Sequence, residues 1–260
     1  MASRFAVLDH PGPLAFAHRG GAGEWPENTM PAFEGAVSLG FRYLETDVHR
    51  TADGVLVAFH DDRLDRVTDR AGLISELTWD EVRRAKVGGR EPIVRFEELL
   101  EAFPAVRFNI DPKADDAVEP LARVLRDAKA IDRVCIGAFS DARLAEMRER
   151  CGPALCTSLG PKQILRLRVA ATRGFRSLVR PAFVQGAAQV PVSHKGVPLV
   201  TPAFVDTAHR LGMQVHVWTI DDPVEIHRLL DLGVDGVMTD QPLELKRVLT
   251  SRGQWVHPAR

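Results

Sequence analysis

The stretch that decides the fold is Arg42-Tyr43-Leu44-Glu45-Thr46-Asp47-Val48-His49-Arg50-Thr51-Ala52-Asp53-Gly54-Val55-Leu56-Val57-Ala58-Phe59-His60-Asp61. Its first half alternates. In a strand, alternate residues share a face, so Tyr43, Glu45, Asp47 and His49 fall on one side, and Leu44 and Val48 on the other. Asp53-Gly54 is a strong hairpin signal. The four residues 51–54 are too few for a parallel crossover, which needs a dozen or more. Residues 55–59 therefore turn back antiparallel on 42–49. A two-residue turn at Asp53-Gly54 pairs residues whose numbers sum to 107. It would set Asp47 opposite His60, with the side chains on one face roughly 5 Å apart.

Outward from this hairpin the chain alternates short apolar runs with longer helical ones. Strands are expected at 14–17, 42–49, 55–59, 106–111, 134–138, 154–158, 183–190, 214–219 and 236–239. Helices are expected from Asn28-Thr29 to Gly40, with Asn28 as N-cap and Gly40 as stop, and at 95–102, 117–129, 142–150, 202–211 and 223–232. This alternation over 260 residues indicates an α/β fold, a distorted (β/α)8 TIM barrel forming one domain over residues 1–260. Nine strands for eight places leaves 55–59 as the hairpin arm, and residues 61–92 read as a small insertion over the barrel mouth. Helices cover the outer face of such a barrel, so that face must be apolar. The polar faces then point inward: Glu45 and Asp47 on one strand, Asn109, Asp111 and Lys113 on the next, His216 and Trp218 near the end. Their late positions in each strand put them at the C-terminal mouth, where such barrels keep catalytic groups.

A net charge of −1 gives no reason to expect a nucleic-acid partner. No run approaches the ~18 apolar residues of a membrane span, and the first twenty residues lack the pattern of a secretory signal. Three cysteines without metal-ligand spacing suit buried free thiols in a reducing compartment. These readings favour a cytoplasmic location. Between Arg150 and Val205 there is no acidic residue, while Arg150, Lys162, Arg166, Arg168, Arg173, Arg176, Arg180 and Lys195 are basic. A solvated surface is the plainer reading. The other is a positive rim drawing anionic substrates or allowing peripheral contact with a lipid surface.

Glu45, Asp47 and Asp111 offer three hard oxygens converging from two strands. Carboxylates this close repel one another unless a cation or proton compensates, and Mg²⁺ or Ca²⁺ suits such donors. The plainer alternative is ion pairing with Arg19 or Lys113. Arg19 and Lys113 are the candidate phosphate grips, one a planar fork and one a point charge. His18 and His60 are the candidate proton carriers, because histidine titrates near neutral pH. His10, His194, His209, His227 and His257 read as structural; His49 and His216 stay open. Gly20-Gly21-Ala22-Gly23 reads as a turn allowing close backbone approach. Trp218 is placed either against the organic part of a substrate or in the core.

His18-Arg19-Gly20, Pro26-Glu27-Asn28-Thr29, Glu45-Thr46-Asp47-Val48, Thr51-Ala52-Asp53-Gly54, His60-Asp61, Asn109-Ile110-Asp111-Pro112-Lys113, Val217-Trp218-Thr219 and the run from Gly233 to Pro242 resemble, in order, the signature of glycerophosphodiester phosphodiesterases. The resemblance implies a distorted TIM barrel that hydrolyses small glycerophosphodiesters to glycerol 3-phosphate and an alcohol. It implies a divalent cation held at Glu45, Asp47 and Asp111, acid–base work by His18 and His60, and phosphate contacts from Arg19 and Lys113. Position 111 is Asp where the family more often has Glu, one methylene longer. The nucleophile, water or the substrate's own glycerol 2-hydroxyl, stays open, as does which histidine is the acid. Two rivals remain: phospholipase-D-like or phospholipase-C-like hydrolysis of lipid diesters, and a non-catalytic barrel that only binds phosphodiesters.

Overall fold

The computed structural model describes residues 4–172 and 183–256. The elements run β1 (Leu14–Ala17), α1 (Met30–Ser38), β2 (Tyr43–Arg50), β3 (Leu56–Ala58), α2 (Trp79–Val82), β4 (Lys86–Val87), β5 (Glu91–Pro92), α3 (Phe96–Ala102), β6 (Arg107–Pro112), α4 (Val118–Asp127), β7 (Val134–Ile136) and α5 (Asp141–Cys151). They continue with β8 (Cys156–Thr157), α6 (Pro161–Ala170), β9 (Ala187–Val190), β10 (Ser193–His194), β11 (Val197–Pro198), α7 (Pro202–Arg210), β12 (Gln214–Val217), α8 (Pro223–Asp231), β13 (Gly236–Thr239) and α9 (Pro242–Ser251).

Eight strands lie parallel in the order β8-β7-β6-β2-β1-β13-β12-β9. The ring closes where Ser158, just past β8, bridges Ala187 of β9, with Leu159 N donating to Ala187 O at 2.8 Å. The fold is a (β/α)8 barrel. β3, β7, β8, β9 and β12 are shorter than the runs read from the sequence. Helices α6 and α9 come in addition to those read from the sequence. Each has Pro at its first turn, a position where the missing N–H costs nothing.

The outer faces of the strands pack on the helices: Leu44, Val48, Phe108, Ile110 and Ile136 are buried in one cluster with Phe33, Leu99, Leu121 and Leu125. Each such side chain stabilises the fold by roughly 1.5–3 kcal/mol. A second cluster inside the barrel base joins Phe5, Val7 and Leu8 to Phe16, Tyr43, Cys135, Cys156 and Met238. The cysteines are free, Cys135 and Cys156 buried and Cys151 partly so. Residues 61–92 wrap a third, smaller cluster of Val57, Phe59, Leu64, Ile74, Val82 and Val87, closed by a Thr78–Glu81 capping box on α2.

Two expectations are corrected. β3 does pair antiparallel with β2, but in the register His49↔Val57 and Val48↔Ala58, one residue off the two-residue turn. Thr51 is the cause: its Oγ1 accepts from Val55 N at 2.9 Å and donates to Asp53 Oδ1 at 2.6 Å. That closes a three-residue loop, with Gly54 at φ 90°. Phe59 N, not His60, therefore meets Asp47 O, at 3.0 Å, and His60 lies beyond the end of β3 rather than paired with Asp47. Asn28 does not cap α1 either. Thr29 holds the N-cap position, and Asn28 turns left-handed at φ 56° with its side chain beneath the mouth. Gly40 does end α1, at φ 97°.

In the basic stretch, Arg150 pairs with Glu146 and Arg168 donates to Pro198 O at 3.3 Å. Arg173, Arg176, Arg180 and His257 lie outside the described residues. No helix among the described residues is long and apolar enough to cross a membrane.

Candidate active site

Past Ala17 the chain turns sharply through Arg19 and Gly20, both left-handed at φ 50° and 83°. Gly20 is required there, because a Cβ would meet Ala32 Cβ at 2.8 Å. Arg19 has no such freedom and pays roughly 1–2 kcal/mol for the conformation. Its amide donates to Glu45 Oε2 at 3.0 Å, which offsets part of the cost and places His18 and Arg19 over the end of β2. Gly23 lets the backbone close on the last strand, its N donating to Asp240 O at 2.9 Å.

β2 and β6 are in register Glu45↔Asn109 and Asp47↔Asp111. Lys113 Nζ bridges the two aspartates, 2.7 Å from Asp47 Oδ1 and 2.9 Å from Asp111 Oδ2. Arg19 Nε lies 3.5 Å from Asp47 Oδ2, and Asn28 Nδ2 donates to the same oxygen at 3.4 Å. A buried carboxylate is costly unless paired, and Asp47 is only 1% exposed. The charge balance supplied by Lys113 and Arg19 is therefore real. Burial depresses the Lys113 ammonium, but Asp47 and Asp111 outweigh it and hold its pKa above the usual lysine range.

The two histidines are held alike. His18 Nδ1 lies 2.7 Å from Asp240 Oδ1 and His60 Nδ1 lies 2.6 Å from Asp61 Oδ1. A carboxylate on Nδ1 sets the ring's orientation and tautomer and leaves Nε2 for chemistry. His18 Nε2 stands 3.7 Å from Glu45 Oε2. Burial lowers the His18 pKa, but Glu45 and Asp240 together raise it above the ordinary value. Arg66, from the insertion, donates to both Asp61 and Glu27, and holds Asp61 down to about 2. Glu27 in turn accepts from Arg19 Nη1 at 3.0 Å. His49 Nε2 bonds His60 O at 3.0 Å and so fixes the segment that carries His60.

Lys113 and Arg19 compensate the three carboxylates only in part. Burial first, then Asp47, push Glu45 up to about 7; burial also raises Asp111. Asp111 Oδ1 is buried with no hydrogen-bond partner, and such an orphaned oxygen calls for a cation or proton. The donors are all hard oxygens, which fits Mg²⁺ or Ca²⁺. Among the described residues no three metal-ligating side chains converge on one point; the Lys113 ammonium lies between two of the carboxylates.

All eight residues singled out in the sequence, His18, Arg19, Glu45, Asp47, His60, Asp111, Lys113 and Trp218, line one cavity of about 500 Å³. The opposite wall is apolar: Phe139, Ile164, Leu165 and Leu199 face it, and Phe139 and Leu165 are 70% and 64% exposed. Trp218 packs edge-on against Phe139 at 5.6 Å, so it belongs both to the wall and to the inner cluster below. His194, read as structural, stands at the lip of the same cavity. His209 pairs with Asp235 and His227 with Arg252, away from it. His216 lies beneath the cavity floor, fully buried.

Sequence reasoning gave no role to Asp240, Asp61, Glu27 or Arg66. Asp240 had a usable signal, since it directly follows the last barrel strand at the catalytic end. Arg66 and the apolar wall had none, because loop contacts carry no periodicity.

Comparisons with known proteins bear on the family and the fold. Residues 18–244 match the model of the "Glycerophosphoryl diester phosphodiesterase family". "Probable glycerophosphodiester phosphodiesterase 2" of Mycobacterium tuberculosis is 41% identical over 95% of each chain. "Lysophospholipase D GDPD1" of Mus musculus is 31% identical over 90% of this chain and 85% of its own. Among solved structures, a glycerophosphodiester phosphodiesterase from Parabacteroides distasonis superposes with a TM-score of 0.73 at 25% identity, covering 92% of this chain and 98% of its own. An Oleispira antarctica phosphodiesterase in complex with the product sn-glycerol-3-phosphate does so at 0.76 and 22%, covering 92% and 97%. The chain belongs to the glycerophosphoryl diester phosphodiesterase family.

Proposed function

We propose that the protein hydrolyses glycerophosphodiesters to glycerol 3-phosphate and an alcohol, with His18 and His60 as the acid–base pair. The observation that carries this reading is the matched pair of histidine–carboxylate dyads, His18–Asp240 and His60–Asp61, beside the two cations Arg19 and Lys113. A barrel that only bound phosphodiesters would have no use for two oriented proton carriers.

Arg19 and Lys113 would take the phosphoryl oxygens and neutralise charge as it builds on them. One histidine, through Nε2, takes the proton from the attacking hydroxyl, which belongs to water or to the substrate's own glycerol C2. The other gives a proton to the departing alkoxide. Their Nδ1 carboxylates hold each ring for that transfer. Glu45, Asp47 and Asp111 would hold a divalent cation, Mg²⁺ or Ca²⁺, which when bound supplies further charge neutralisation at the phosphate. The orphaned Asp111 Oδ1 and the raised Glu45 support that assignment.

A second reading rests on the apolar wall. Exposed Phe139 and Leu165 beside the phosphate site suit an ester carrying an acyl chain, and a curated relative bears the name lysophospholipase D. The small-molecule reading and this one share the same chemistry and differ in the arm that lies on that wall. Release of glycerol 3-phosphate from glycerophosphodiesters, compared with turnover of lysophospholipids, tests the proposal. No turnover of the first class and clear turnover of the second would replace it.

A further inference from the structure

A closed chain of hydrogen bonds runs under the cavity and fixes which atoms face upward. Gln214 Nε2 donates to Leu8 O at 3.1 Å. A carbonyl only accepts, so Gln214 must give it the amide nitrogen and turn Oε1 toward His216 Nε2, 3.0 Å away. His216 therefore carries its proton on Nε2. Its neutral ring, wholly buried, offers Nδ1 as an acceptor. Gln189 lies beside His216 in the sheet and must answer with its amide nitrogen, Nε2 at 3.2 Å. The same Gln189 Nε2 donates to Asn109 Oδ1 at 2.7 Å. Each amide orientation thus follows from the one before it.

Among the described residues, two atoms of this chain remain without a protein partner, Gln189 Oε1 and Asn109 Nδ2, and both residues line the cavity. They converge at Gly137. A Cβ there would lie 2.9 Å from Gln189 Oε1, 3.6 Å from Asn109 Nδ2 and 3.9 Å from Ser158 Oγ. The absent side chain leaves a cradle bordered by both an acceptor and a donor.

That pairing is chemically selective. A phosphate or carboxylate would meet the Gln189 oxygen head-on. An ammonium would satisfy that oxygen but oppose the Asn109 amide. A hydroxyl donates to one and accepts from the other. Asn109 precedes Asp111 by two residues on β6, a rise of roughly 7 Å along the strand. That is about the reach of a three-carbon polyol arm from a phosphate held by Lys113 and Arg19.

We propose that Gln189 Oε1, Asn109 Nδ2 and Ser158 Oγ form a hydroxyl-reading subsite that holds the polyol arm of the substrate and selects an arm with free hydroxyls over a deoxy or acylated one. This rests on the phosphodiesterase reading for the position of the phosphate. A subsite built to bond a hydroxyl rejects the analogue lacking it strongly, because its buried polar groups are then left unpaired.

The test is calorimetric titration of sn-glycerol 3-phosphate and of propyl phosphate, which lacks both hydroxyls, into wild type, Gln189→Met and Gly137→Ala, with and without added Mg²⁺. Gly137→Ala fills the cradle and presses on the Gln189 amide oxygen, the end of a flexible side chain, without removing any group of the hydrogen-bond chain, so it covers the case in which Gln189→Met fails to fold. The wild type is expected to prefer glycerol 3-phosphate at least tenfold, and each variant to bring that ratio to within about twofold of unity. Equal wild-type affinities, no binding of either ligand, or an unchanged ratio in Gly137→Ala would overturn the subsite, as would a cradle that holds only ordered water. Release of glycerol 3-phosphate from a glycerophosphodiester is measured on the same proteins. Selective binding without any release would contradict the hydrolysis reading and leave the subsite standing.

Discussion

His18 and Asp240 are 222 residues apart in the chain and 2.7 Å apart in space, His18 Nδ1 to Asp240 Oδ1. β1 and β13 are neighbours in the ring, so the pairing of the first and last barrel strands is what builds this dyad. Asp240 acts through His18 and is a positioning residue. Asp240→Asn removes the charge that orients the ring and leaves the shape of the site. We expect kcat to fall by about 10²–10³, with KM within about threefold. An equal fall in thermal stability and activity would instead mark Asp240 as structural.

The two histidines can be told apart by leaving group. His18→Ala and His60→Ala should each lose at least about a hundredfold in kcat on a glycerophosphodiester with an alkyl leaving group. A 4-nitrophenoxide leaves without protonation. Only the variant lacking the acid should recover most of its rate on the 4-nitrophenyl ester. Near-wild-type turnover in both variants would contradict the acid–base assignment.

How far the site was legible depended on strand phase. Glu45, Asp47, Asp111 and Lys113 follow from alternation on β2 and β6, because barrel strands keep one face inward. The hairpin register did not follow, since the Thr51 hydroxyl closes a three-residue loop that the Asp53-Gly54 pair alone does not reveal. Asn28 has the composition of a cap, but its left-handed turn sends the side chain to Thr46 and Asp47 instead. Gln189 and Phe139 had no local signature. Their roles come from neighbours brought in by β6, β12 and the loop after β7.

Cation binding should depend on Asp111. Calorimetric titration with Mg²⁺ and Ca²⁺ is expected to show one site. Asp111→Ala should weaken it at least tenfold, while Asp111→Glu, one methylene longer, keeps affinity within about fivefold. Absence of cation binding by the wild type would remove Glu45, Asp47 and Asp111 from that role and leave them as partners of Lys113 and Arg19.

His216 should make the fold acid-sensitive. Burial lowers its pKa from 6.5 to about 3, so the unfolded chain takes up this proton at a higher pH than the native one. Its contribution to stability is complete above about pH 6.5, falls as the pH drops toward 3, and is then lost. Urea unfolding at pH 7.5 and 4.5 should show a smaller acid-induced decline in His216→Gln than in wild type, by on the order of 2 kcal/mol. Equal declines would mean that His216 is not held neutral in the native state.

The most direct measurement is the product of sn-glycero-3-phosphocholine turnover, followed by ³¹P NMR with Mg²⁺ or Ca²⁺ present. The expected result is the conversion of the diester signal to glycerol 3-phosphate, directly or through a transient cyclic phosphate, with loss of activity on EDTA treatment and in His18→Ala. A diester signal that persists unchanged here and with every other glycerophosphodiester head group would contradict the account.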